Sequence, residues 1–139
     1  MLKRIAILGA TALLLGACVA SETRDPGSAT QLPSKPHDAK VPGTHYHATG
    51  PIPCSMGGGA PTTQCNAGVV RQGGGSGMVT VTKPDGRTRT IFFEKGRATG
   101  YDQSQADPGK FSASKQADLN IVKIGQERYE IPDAMIFGG

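Results

Sequence analysis

From Met78 to Ile131 the chain is cut into short runs of alternating or β-branched residues, and a turn signal separates each from the next. MVTVT (Met78 to Thr82) ends at Lys83-Pro84-Asp85-Gly86, where proline presets the backbone and glycine accepts a positive φ. RTRTIFF (Arg87 to Phe93) follows, then Glu94-Lys95-Gly96 and RATGYD, which together make a three-strand meander. FSASKQ (Phe111 to Gln116), DLNIVKIG (Asp118 to Gly125) and ERYEI (Glu127 to Ile131) read as further strands, the last two joined through Gly125-Gln126. GVVRQ (Gly68 to Gln72) and AMIF (Ala134 to Phe137) are expected to add strands, one of them closing the sheet. No window carries a helical period. The expected fold is all-β, a small antiparallel barrel or sandwich built from meander hairpins. Alternation assigns Val79, Val81, Ile91, Phe93, Tyr129 and Ile131 to the core, with Val70, Phe111, Leu119, Ile121, Val122, Ile124, Ile136 and Phe137 as further candidates.

Ahead of these strands the chain reads differently. Lys3 and Arg4 precede the uncharged run IAILGATALLLGA, the layout of a secretory signal, and the run is too short to span a bilayer. Leu15-Gly16-Ala17-Cys18 is similar to the lipobox of bacterial lipoproteins, so residues 1–17 are expected to be removed and Cys18 acylated. Without Lys3 and Arg4, 13 basic side chains stand against 11 acidic ones, a balance of +2 that gives no reason to expect nucleic acid. Residues 18–43, rich in Ser, Thr, Pro, Lys and Asp, read as a flexible tether to a domain over residues 44–139. No aspartate follows Cys18, which favours the outer membrane of a Gram-negative cell, with the domain in the periplasm. In that oxidising compartment Cys54 and Cys65 are expected to pair across SMGGGAPTTQ and staple a domain too small to rely on burial alone.

Candidate chemistry is sparse. QGGGSGM lacks the last glycine of GxSxG and the Lys of a phosphate-binding loop, so it reads as a hairpin connection. His45 and His47 would share one side of an extended segment, with only His37 nearby to join them, and solvated histidines are the expectation. Asp102, Ser104 and Asp107 in DQSQADPG loosely resemble a calcium loop, yet they lack its central glycine and closing glutamate. No metal or cofactor is therefore expected. Arg87 and Arg89 share a strand face, with Lys83, Lys95 and Arg97 flanking the same meander. Arg87, Arg89, Lys95 and Arg97 are a candidate binding patch for an anionic lipid, a cell-wall glycan or an acidic envelope protein. The plainer reading, solvated strand ends whose charges guard an edge, is preferred. No nucleophile stands beside a base in a catalytic pattern, so a non-enzyme is expected.

ATGPIPC (Ala48 to Cys54), PDGRTRTIFFEKG (Pro84 to Gly96) and ERYEIPDAMIFGG (Glu127 to Gly139) resemble an uncharacterised family of small proteobacterial envelope proteins. The resemblance implies an envelope setting and assigns no catalytic or binding residue. Similar segments follow modules like those of lysozyme inhibitors in longer secreted proteins. The expected function is a lipid-anchored binding or structural module of the envelope, held by its lipid to the membrane. The alternatives are an inhibitor of a cell-wall hydrolase such as lysozyme, or an enzyme of unrecognised class.

Overall fold

A computed structural model describes residues 38–105 and 107–138. The candidate lipidation site Cys18 and the signal segment lie outside them. Eight antiparallel strands form one sheet in the order β5-β4-β3-β2-β1-β8-β7-β6. They are β1 (Ala48–Ser55), β2 (Thr63–Gly73), β3 (Ser76–Thr82), β4 (Thr88–Glu94), β5 (Arg97–Tyr101), β6 (Phe111–Gln116), β7 (Leu119–Ile124) and β8 (Glu127–Pro132). Consecutive strands pair throughout except β5 with β6, and β1 pairs with β8 through Cys54↔Tyr129 and Ser55↔Arg128. The sheet thus curls into a nearly closed up-and-down barrel whose seam lies between β5 and β6. Side chains cross that seam: the Tyr101 hydroxyl donates to the Gly109 carbonyl at 2.7 Å and accepts from the Gly109 N–H at 2.9 Å, while its ring stacks on Phe111.

Each expected strand from Met78 to Ile131 is present because its turn chemistry matches its geometry. Lys95 and Gly96 both take positive φ, as the tightest hairpin turn requires. Gly125 takes φ 59 at the first position of the β7–β8 turn, where glycine is favoured. Lys83-Pro84-Asp85-Gly86 closes by a Gly86 N–H to Lys83 carbonyl bond, and Lys83 N–H then donates to the Arg87 carbonyl. That second bond sets Lys83 beside Arg87 at the tip of the hairpin.

Strand β1 is a finding that the sequence reading lacked. Pro51 and Pro53 argue against a strand interior, but β8 engages β1 only at Cys54 and Ser55, so the prolines lie where β1 has a single ladder partner. A second correction concerns Ala134 to Phe137, which form no strand but belong to a short helix, α1 (Asp133–Phe137). Pro132 ends β8, and the Asp133 N–H turns to the Asp118 carbonyl at 2.7 Å. The helix then plugs one end of the barrel with Ile136. Residues 41–47, expected within or next to the tether, pack on the barrel: the Tyr46 ring sits where a side chain at Gly68 would be, and His47 N–H donates to the Val69 carbonyl at 2.8 Å.

Ile52, Val69, Val79, Val81, Ile91, Phe93, Val122, Ile124, Tyr129 and Ile131 fill the interior together with the Cys54–Cys65 disulfide. An eight-stranded barrel has about that much room. Of the expected core, Val70 faces outward and is half-buried, and Phe137 is 53% exposed on α1, its ring lying against Gly75 and Gly96.

Candidate functional site

Strand parity carries charge into the barrel. Lys83 shares its parity with Val79 and Val81, Arg89 with Ile91 and Phe93, and Glu127 with Tyr129 and Ile131, so all three aim inward near the end opposite α1. Arg89 is 0% exposed. Its Nε donates to Glu127 Oε2 and its Nη2 to Glu127 Oε1, each at 2.8 Å, a two-pronged fit between guanidinium and carboxylate. Nη2 also donates to the Asp107 carbonyl at 2.9 Å, and the guanidinium lies over the Tyr101 ring at 5.4 Å. Lys83 Nζ donates to Glu127 Oε1 at 3.0 Å, and the Tyr129 hydroxyl to Glu127 Oε2 at 2.8 Å. Arg89 Nη1 is buried without a hydrogen-bond partner among the described residues.

These contacts hold each group in one ionisation state. Burial pushes the Glu127 carboxyl up, but hydrogen bonds from Arg89, Tyr129 and Lys83 outweigh it and leave it below the ordinary glutamate value. The Glu127 hydrogen bond raises the Arg89 guanidinium further, against burial. Burial first, and the negative neighbour second, drive the Tyr129 phenol far upward.

Above this network the mouth of the barrel opens as a cleft of about 370 Å³, with Lys83, Arg87, Asp107 and Glu127 beside Met56 and Ile124. Arg87 lies one step outside β4 and in solvent, where it pairs with Asp85 at 2.7 Å and with Asp107. The Asp85 carboxyl is held low, chiefly by the side-chain hydrogen bond from Arg87. Asp107 Oδ2 also lies 3.9 Å from Lys83 Nζ.

The expected cationic patch is therefore not one surface. Arg89 is inside the barrel, Arg87 is at the mouth, and Lys95 and Arg97 sit at the β4–β5 turn, the opposite end of their strands. The three residues of the loop site also part. Asp102 Oδ1 accepts from Ser104 N–H at 2.9 Å and from its hydroxyl at 2.6 Å, which lowers the Asp102 carboxyl, whereas Asp107 turns to the cations of the mouth. His47 Nδ1 accepts from the Arg71 N–H at 2.9 Å, and His45 packs on Tyr46. Among the described residues, no three His, Cys, Asp or Glu side chains converge as metal ligands. Sequence reasoning missed Glu127 and Tyr129 as polar partners, although their shared parity with Ile131 was visible. No protein-family model, curated protein or solved structure matches the chain.

Proposed function

We propose that the protein is a lipid-anchored, non-enzymatic binding module of the Gram-negative envelope that presents the barrel mouth to a partner in the periplasm. The observation carrying this reading is the mouth itself, an open cleft of about 370 Å³ in which Lys83, Arg87, Asp107 and Glu127 stand beside Met56 and Ile124. The disulfide indicates an oxidising, non-cytoplasmic setting. Among the described residues no helix is long and apolar enough to cross a membrane. Stretches resembling small envelope proteins support the same setting. General acid–base catalysis wants a group titrating near the working pH, while Glu127 at the mouth and Arg89 buried beneath it are both driven away from neutrality. That favours recognition over turnover.

The test is affinity capture from envelope extract with full-length Cys18→Ala protein as bait, beside the same protein carrying Asp85→Ala and Gln126→Ala at the mouth. A stoichiometric partner retained by the first bait and lost by the second supports the reading. Capture of nothing by a folded bait overturns it.

A further inference from the structure

The interior of the barrel carries more positive than negative charge. Lys83 and Arg89, both buried, share the single carboxylate of Glu127, and Arg89 Nη1 has no partner among the described residues. A buried excess charge of this kind is costly unless an anion completes it. Asp107 is the nearest anion, and its fit is partial. Its carboxylate is 56% exposed, pairs with Arg87 on the solvent side, and stays 3.9 Å from Lys83 Nζ, beyond hydrogen-bond reach. Its contact with Arg89 is through the backbone carbonyl alone. Asp107 also holds φ 64, a backbone region that few residues other than glycine, asparagine and aspartate adopt.

Resting on the binding-module reading, we infer that the mouth is a carboxylate-binding site, with Lys83 as the direct donor, Arg89 supplying charge from beneath, and Asp107 as a built-in competitor whose displacement frees Nη1 of Arg87, the Nε and Nη2 of which stay on Asp85. Met56, Pro108 and Ile124 supply an apolar wall next to the cations. That wall suits the aliphatic last residue of a peptide better than a hydroxylated sugar acid, so the ligand class is a short peptide with a free C-terminal carboxylate. Because Asp107 is part of the same chain, it competes at a high effective concentration. The wild-type site is accordingly weak, and removing that one charge strengthens it.

The experiment is calorimetric and NMR titration of the full-length Cys18→Ala protein with N-acetyl-Ala-Ala, its C-terminal amide, glucuronate and inorganic phosphate. Charge-assisted hydrogen bonds to the carboxylate should make the acid bind at least about tenfold more tightly than the amide. Asp107→Asn keeps a residue that tolerates positive φ and should tighten the acid several-fold without tightening the amide. Lys83→Met should abolish the preference for the acid. Should Lys83→Met fail to fold, the Asp107→Asn comparison decides alone. Equal binding of acid and amide overturns the inference, as does no binding to either wild type or Asp107→Asn. Glucuronate or phosphate binding more tightly than the peptide acid overturns the ligand class. A partner captured from extract without regard to these substitutions leaves the module reading standing and removes this site; peptide binding with no captured partner does the reverse.

Discussion

Arg89 sits in a core otherwise lined by Ile91, Phe93 and Val81, where the Glu127 carboxylate balances its charge. Removing one partner of a buried pair leaves the other uncompensated and costs about 3 to 5 kcal/mol. Glu127→Gln should therefore lower the thermal midpoint severely, since a domain of this size has about 5 to 15 kcal/mol in total. The pH dependence has a definite sign. The folded carboxyl titrates below its ordinary value of 4.5, so its contribution is present above pH 4.5 and is lost as pH falls through the lowered value. The stability gap between wild type and Glu127→Gln, read by thermal melts from pH 7 down to pH 3, should narrow below about pH 4.5. A constant gap would show that the charge of Glu127 does not hold the network. Arg89 was legible as a residue of interest but not as an interior one. The parity that puts Ile91 inside also puts Arg89 there; what hid this was the rule that arginine avoids interiors, which holds only until a partner is supplied from another strand.

At the scale of the element, hairpins with matched turn residues form where expected, and mismatched ones show where stability can be gained. The β6–β7 turn places Ala117 at φ 52, between Gln116 and Leu119, which pair. A residue with a Cβ costs about 1 kcal/mol there. Ala117→Gly should raise the free energy of unfolding, by up to about 1 kcal/mol once glycine's extra unfolded-state freedom is subtracted, as read by urea titration. A fall in stability would show that the turn prefers another geometry. Gly109 is the opposite case. A Cβ there would stand 2.6 Å from the Gly125 nitrogen, so Gly109→Ala should part the loop from the β7–β8 turn and lower stability by about 1 to 3 kcal/mol in the same titration. Ala134 to Phe137 show why a short apolar run is ambiguous: four residues fit a strand or one helical turn equally, and Pro132 together with the Asp118 carbonyl decides for the helix.

For the molecule as a whole, one covalent bridge staples the fold and a lipid anchor is proposed outside it. The Cys54–Cys65 bridge joins β1 to β2 across 11 positions of sequence. Loss of that closure should cost about 2 to 3 kcal/mol, which lowers the thermal midpoint of Cys54→Ser by roughly 10 °C or more. An equal midpoint in wild type and variant would mean that the bridge contributes nothing to stability. As for the proposed anchor, Cys18→Ala should move the protein from the membrane fraction to the soluble envelope fraction; retention in the membrane would sink the lipoprotein reading. The barrel does not depend on that outcome, because its seam is held by Tyr101, Gly109 and Phe111 within the domain itself.

By itself the sequence determined what is local. Alternation and turn residues set the six strands from β3 to β8, their antiparallel order and most of the core, because a period of two and a glycine or proline at the turn act over a few residues. The cysteine pair was legible too, since it is the one pair left to the domain. Tertiary structure decided everything that depends on closure. Only closing the barrel pairs β1 with β8, turns Ala134 to Phe137 into a plug, and brings Glu127 from the last strand to Arg89 and Lys83 on the β3–β4 hairpin. Those contacts join residues 38 and 44 positions apart. No local pattern encodes such a distance, and the site at the mouth exists only because of it.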